Sequence, residues 1–120
     1  MEPRFDFPSA APDAYKAVAA LDKYVKVDSG IDHRVLHLLK IRASQINHCA
    51  YCVDMHTKEA RRDGLSEQWI NLISVWQESP VFDAKERAVL GWTEAHERCP
   101  DAGRRTRITT RCERSFPKPR

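Results

Sequence analysis

Glycine is scarce in this sequence, and no stretch alternates between apolar and polar residues as a half-buried strand would. Only 4 of the 120 residues are glycine, and much of the chain consists of Ala, Leu, Glu, Lys and Arg, which favour helices. The lack of strand-like alternation excludes a fold built on a sheet. We therefore predict an all-α domain, a helical bundle with short connections.

Long hydrophobic runs are missing as well. No segment approaches the roughly 18 consecutive apolar residues that a transmembrane helix requires. The first seven residues lack the basic region followed by an apolar stretch that marks a signal peptide. We expect no membrane association and a cytoplasmic location, where a close cysteine pair is more often catalytic or metal-binding than structural.

Positive charge is unevenly distributed along the chain. The formal net charge is +3, but residues 97–120 carry +5, which leaves −2 for residues 1–96. The body therefore has no basic footprint for nucleic acid, and we expect no specific nucleic-acid partner. Residues 99–120 are rich in arginine and lack apolar periodicity, so we expect a basic, disordered tail. Residues 1–12 contain three prolines and are predicted to be an extended segment, which leaves 13–98 as the helical domain.

Helix caps divide this domain into five predicted helices. The first runs from Asp13 to about Val27, and the fourth carries Trp69 to Trp76 on its inner face. The candidate caps and stops are Gly30, Asp32, Asn47, Gly64, Ser66 and a capping box formed by Asp83 and Glu86.

Two thiols and an imidazole share one predicted helical face. Cys49, Cys52 and His56 are spaced i, i+3 and i+7, which aligns them along one stripe of a helix. A base near a thiol makes that thiol more reactive, and a second thiol can trap the oxidised form as a disulfide. We predict that Cys52 attacks peroxide, that His56 is its base, and that Cys49 resolves the sulfenic acid.

Two other interpretations of this motif stay open. Cys49, Cys52 and His56, with His48, could hold zinc, although the sequence offers no second close pair of ligands. Alternatively, the cysteines could be small packing residues of a non-catalytic helical oligomer. The acids and arginines from Glu59 to Asp63 are interpreted as a solvated helix end.

The stretch RASQINHCAYCVDMHTKEAR, residues 42–61, closely resembles the signature of the AhpD-like alkylhydroperoxidases within the carboxymuconolactone decarboxylase family. The likeness continues in residues 76–82 and 86–95 and covers about residues 13–96. It implies a helical oligomer, commonly a trimer or hexamer, that reduces alkyl hydroperoxides or hydrogen peroxide without metal or flavin. Electrons would come from a thiol or dithiol partner. It also implies that Cys52 is the peroxidatic and Cys49 the resolving cysteine, with His56 as the base.

This sequence departs from the family pattern at three places. A glutamate that relays protons twelve residues before the first cysteine is replaced by His37, which we consider its substitute. Tyr51 replaces a histidine between the cysteines. After about His96 the chain becomes arginine-rich where relatives continue as amphipathic helices. We therefore expect the C-terminal part of the bundle to be truncated or altered, as a reading-frame shift would produce.

Overall fold

The computed structural model describes residues 5–97, and within this range every regular element is helical, which confirms the predicted all-α fold. The α-helices are α1 (Phe7–Ala10), α2 (Pro12–Lys23), α3 (His33–Ile46), α4 (Ala50–Arg62), α5 (Glu67–Leu72) and α6 (Ala84–Glu97). A π-helical turn, Tyr24–Asp28, follows α2, and a 3₁₀ turn, Ile73–Val75, follows α5. The predicted tail, residues 99–120, lies outside the described residues.

Three helices begin where the sequence predicts caps. The Asp32 carboxylate accepts a hydrogen bond from the backbone N–H of Arg34, and the Ser66 hydroxyl accepts one from Trp69. Asp83 and Glu86 each accept the other's backbone N–H, which is the reciprocal pattern of a capping box. These side chains satisfy amides that a helix cannot pair internally, so they fix where α3, α5 and α6 start.

Helix α3 is the centre of the bundle and packs against both α4 and α6. Its fully buried Leu38 and Ile41 join a core that draws on α3 itself, on the other helices and on the segment before α6. The remaining buried members are Val35, Ala60, Trp69, Ile70, Ile73, Phe82, Val89 and Leu90. Arg42 is also buried and forms an ion pair with Glu94 of α6, N–O 2.6 Å. Because α4 is anchored on α3, its N-terminal end is held in a defined position.

The fourth predicted helix is shorter than expected. Regular α-helix ends at Leu72, and the chain tightens into the 3₁₀ turn before Trp76. The guanidinium of Arg87 donates hydrogen bonds to the carbonyls of Trp76, Gln77 and Ser79. Arg87 thus supplies hydrogen-bond donors for backbone carbonyls that follow the 3₁₀ turn. These carbonyls have partners without a further helical turn, so the helix can end here.

The N-terminal segment differs most from expectation. Phe7–Ala10 forms a short helix rather than an extended chain, and the next helix starts at Pro12 instead of Asp13. The reason is that Pro8 and Pro12 occupy first-turn positions. A backbone N–H there has no partner within the helix, so its absence in proline costs nothing, and the fixed φ of proline is already helical. Large apolar side chains of α2 and the π turn are exposed rather than packed in the core: Tyr15, Val18, Leu21, Tyr24 and Val27.

Candidate functional site

The connection between α3 and α4 positions the first cysteine. After Asn47 ends α3, His48 takes a left-handed conformation, φ 53°. This residue redirects the chain so that α4 begins immediately after Cys49. Cys49 is therefore the N-cap of α4 rather than a residue within the helix, and its sulfur accepts the backbone N–H of Cys52 at 3.3 Å.

Cys49 and Cys52 are joined by a disulfide, with their Cα atoms 5.3 Å apart. Both cysteines are partly exposed. Cys52 lies in the first turn of α4, where unpaired backbone amides and the helix dipole stabilise negative charge. The Cα separation lies within the ordinary range for a disulfide, so the pair is compatible with thiol chemistry at this end of α4.

His56 lies one helical turn after Cys52 and is held by Glu59. The His56 Nδ1 atom and the Glu59 Oε2 atom are 2.9 Å apart. Partial burial raises the pKa of the Glu59 carboxyl, but the hydrogen bond with His56 and the nearby charge of Lys26 outweigh it and hold that pKa below its usual value. An ionised carboxylate can only accept, so Nδ1 carries the hydrogen and Nε2 is the ring nitrogen left to act as a base.

His37 has a different partner. Its Nε2 atom is 2.6 Å from Oδ2 of Asp63, while its Nδ1 atom is buried without a hydrogen-bond partner. His33, on the same face of α3, lies 3.9 Å from the same carboxylate oxygen. The hydrogen bond with His37 lowers the pKa of Asp63. Among the described contacts, His37 makes none to the cysteines or to His56. The predicted proton relay through His37 is therefore not represented by a direct contact.

A cavity of about 270 Å³ lies between the π turn, α3 and α4. Apolar Val27 and Leu36 line part of it, and charged groups line the rest, including Lys26, Lys40 and Glu59. Lys26 and Lys40 both pair with Asp22 at 2.8 Å. Glu59 thus accepts a hydrogen bond from His56 through one carboxylate oxygen and also lines this charged cavity.

A second, open cleft lies on the other side of α4. Cys49 lines it together with Ser44 and Gln45 of α3 and Asp54 and Arg61 of α4. Cys52 is not among its lining residues. Of the two disulfide-bonded cysteines, Cys49 is therefore the one that borders this cleft.

The described residues also bear on metal and membrane sites. In residues 5–97, no group of three or more His, Cys, Asp or Glu side chains is arranged to hold a metal ion. The arrangement therefore gives no support to the zinc interpretation of Cys49, Cys52, His48 and His56. Within the same range, no helix is both long enough and apolar enough to cross a membrane.

Sequence reasoning did not identify two of the residues that contact the predicted site residues. The sequence predicts a solvated helix end for Glu59 and Asp63, but Glu59 binds His56 and Asp63 binds His37. For Glu59 the signal was available, because a residue three positions after His56 lies beside it on a helix. The contact between Asp63 and His37 joins α3 to α4 and could not be read from local spacing. Arg61 does lie at the surface, paired with Glu67.

Comparison with protein families identifies residues 12–95 as a match to the model of the carboxymuconolactone decarboxylase family. The protein is 38% identical over 94 residues to uncharacterized protein YdfG of Bacillus subtilis, covering 78% of this chain and 63% of YdfG. It is 32% identical over 60 residues to uncharacterized protein 4 in the cox locus of Paracoccus denitrificans, covering 50% of this chain and 53% of that protein.

A third relative, uncharacterized protein YnjA of Escherichia coli, is 34% identical over 84 residues, covering 67% of this chain and 46% of YnjA. The chain thus spans about half to two thirds of the length of the curated relatives it matches. Among solved structures, it is similar to a protein of unknown function from Agrobacterium tumefaciens, described as a candidate antioxidant defence protein AhpD. That match has a TM-score of 0.88 and 50% identity, and it covers 98% of this chain and 80% of the other.

Proposed function

Because this chain belongs to the carboxymuconolactone decarboxylase family and is AhpD-like, as its cysteine motif predicted, we propose that it is a thiol-dependent peroxidase. Its substrates would be alkyl hydroperoxides or hydrogen peroxide. The observation that carries this proposal is the Cys49–Cys52 disulfide at the start of α4, with His56 one turn further along the helix.

In the oxidative half-reaction, Cys52 gives its proton to Nε2 of His56 and attacks the terminal oxygen of the hydroperoxide. The O–O bond breaks, the oxygen bound to sulfur gives a sulfenic acid, and the alkoxide takes a proton and leaves as an alcohol. The Cys49 thiol then attacks the Cys52 sulfur, and water leaves as the disulfide forms. The Cα separation of 5.3 Å lies within the ordinary range for a disulfide, so this step needs no large backbone movement.

In the reductive half-reaction, a thiol or dithiol partner supplies two electrons. We place its attack at the Cys49 sulfur, because Cys49 lines the open cleft beside α4. A mixed disulfide with the partner forms, and Cys52 leaves as a thiolate at the helix N-terminus, where negative charge is favoured. A second thiolate of the partner then attacks the mixed disulfide and releases Cys49. The net reaction consumes one hydroperoxide and two thiols, and it yields an alcohol, water and one disulfide.

The proposed assembly and location follow the family resemblance. The exposed apolar side chains of α2, including Val18 at 57% and Leu21 at 64% exposure, are suited to a subunit contact in a homo-oligomer, a trimer or hexamer. A cytoplasmic location would provide the thiol reductants that the cycle requires. His37 is kept in the proposed site as the substitute for the family glutamate, with its Nε2 atom paired with Asp63.

The proposed activity is tested by brief exposure of the fully reduced chain to about one equivalent of cumene hydroperoxide, followed by alkylation and peptide mapping by mass spectrometry. We expect a Cys49–Cys52 disulfide to form within seconds in the wild type and not in Cys52→Ser. If both thiols are still free after exposure, the peroxidase proposal fails. The non-catalytic alternative, in which the cysteines only pack, would then account for the motif.

A further inference from the structure

We propose that Glu59 is the positioning residue of the proposed peroxidase, acting on Cys52 through His56. This role rests on the proposed function, in which His56 is the base for Cys52. The sequence suggested that His37 would supply the missing relay group, but the carboxylate that contacts the base comes from the same helix as the cysteine. The reactive thiol, the base and the group that orients the base are thereby arranged on one element.

Helical geometry brings these three residues together. Cys52, His56 and Glu59 are spaced i, i+4 and i+7, which places them on one face of α4 over two turns. The side chains of His56 and Glu59 are 15% and 30% exposed, so their hydrogen bond is partly shielded from water. The bond fixes the ring orientation of His56, and in the neutral ring it favours the tautomer with the hydrogen on Nδ1 and none on Nε2. This is the form that can take a proton from the Cys52 thiol.

The charge on Glu59 adds to this orienting effect. When the Cys52 proton moves to Nε2 of His56, the ring becomes an imidazolium cation. A carboxylate 2.9 Å from Nδ1 stabilises that cation by a charge-assisted hydrogen bond. The thiolate–imidazolium pair is therefore favoured over the neutral pair, so more of Cys52 is ionised at neutral pH.

No other described side chain replaces Glu59 at His56. Asp63 lies on the same side of α4 as Glu59 but binds His37. Glu67 belongs to α5 and pairs with Arg61 in the last turn of α4. Glu59 also faces further charged groups, so its effect on the ionisation of Cys52 has to be separated from theirs. Lys26 Nζ lies 4.0 Å from Glu59 Oε1. The other titratable or charged residues that line the same cavity, or pair with its lysines, are Asp22, His33, His37, Lys40, Arg62 and Asp63.

The matched test is Glu59→Gln. The glutamine side-chain oxygen can still accept the Nδ1 hydrogen, so the geometry is kept while the negative charge is lost. The readout is the rate of Cys52 alkylation by iodoacetamide in the reduced chain as a function of pH, measured by peptide mapping. We expect the midpoint of the Cys52 profile to rise by about one pH unit in Glu59→Gln, since an opposite charge near an ionising pair shifts pKa by this order. Alkylation near neutral pH should then slow about tenfold.

Two further variants separate positioning from a structural effect. Glu67→Gln removes an exposed carboxylate of α5 outside the site, and its alkylation profile should match the wild type. In a His56→Gln background, Glu59→Gln should cause no additional shift, because its effect passes through His56. A Glu59→Gln profile that overlays the wild type, or a full additional shift in the His56→Gln background, would overturn the proposal.

The same variants distinguish this inference from the proposed function. Alkylation reports the Cys52 thiolate without any hydroperoxide. If wild-type Cys52 is alkylated with a lowered midpoint that depends on Glu59, but cumene hydroperoxide does not oxidise it, the positioning role stands and the peroxidase proposal fails. If hydroperoxide oxidises Cys52 equally fast in wild type and Glu59→Gln, with identical alkylation profiles, the peroxidase proposal stands and the role of Glu59 is refuted.

Discussion

Replacing Glu86 with alanine is expected to lower the free energy of unfolding by about 3 kcal/mol. Glu86 is only 4% exposed, and its carboxylate connects three parts of the bundle. It accepts hydrogen bonds from Arg34 of α3, from the indole N–H of Trp69 in α5 and from the backbone N–H of Asp83 at the start of α6.

The magnitude follows from what each partner loses. The Trp69 indole N–H would be buried without an acceptor, which costs about 1–3 kcal/mol. Loss of the reciprocal capping-box bond adds roughly 0.5 kcal/mol. The Arg34 side chain is 45% exposed and can be rehydrated, so its ion pair adds only about 0.5 kcal/mol. The Trp69 hydrogen bond is therefore expected to be the dominant contribution.

The assay is urea unfolding at a fixed protein concentration with the disulfide kept oxidised, followed by tryptophan fluorescence and far-UV circular dichroism. With a slope of about 1.5 kcal/mol/M, the midpoint should fall by about 2 M in Glu86→Ala. Glu86→Gln keeps an acceptor for Trp69, so it should lose only about 1 kcal/mol. Exposed Glu78→Ala should change stability by less than about 0.5 kcal/mol. Equal losses in the two Glu86 variants would refute the reasoning, because they would mean that charge dominates over the Trp69 hydrogen bond.

Three further predictions concern caps, charge and assembly. Ser66→Ala should destabilise the chain by about 1 kcal/mol, measured by the same urea titration, because the hydroxyl is the N-cap of α5; an unchanged midpoint would contradict this role. Hydrogen bonds from Lys26 and Lys40 lower the pKa of Asp22 below 3.8, the ordinary value for an aspartate. The ionised Asp22 carboxylate therefore stabilises the fold fully above about pH 3.8, and this stabilisation is lost as the pH falls below that value. Asp22→Asn should therefore make stability less dependent on pH on the acid side, and an unchanged slope there would contradict the prediction. Leu21→Asp should reduce the oligomeric mass measured by light scattering if α2 forms a subunit contact, whereas an unchanged mass would exclude that contact.

The helical fold and most helix starts could be predicted from the sequence because they depend on local physics. Asp32, Ser66 and Asp83 are capping residues next to apolar repeats, and each caps a helix in the structure. The N-terminal segment departs from the predicted extended chain for a reason that is also local. Proline disrupts a helix interior but is accommodated in its first turn, so Pro8 and Pro12 begin helices instead of preventing them.

The candidate site could be predicted only in part. The spacing of Cys49 and Cys52 was sufficient to predict a disulfide-forming pair, since they are only three positions apart and the contact is local. The partner of His37 depends on how α3 and α4 pack, which spacing within one helix does not determine. The ion pair between Arg42 and Glu94 likewise spans 52 residues and follows from the packing of α3 on α6, which local spacing does not determine.

The central claim is that Cys52 is the thiol that attacks hydroperoxide, and it is tested most directly by trapping the sulfenic acid. In Cys49→Ser the resolving thiol is absent, so oxidation by about one equivalent of cumene hydroperoxide should stop at this stage. We predict that dimedone then labels Cys52 stoichiometrically and leaves Cys99 and Cys112 largely unlabelled. An absence of label on Cys52, or equal labelling of all three cysteines, would contradict the account.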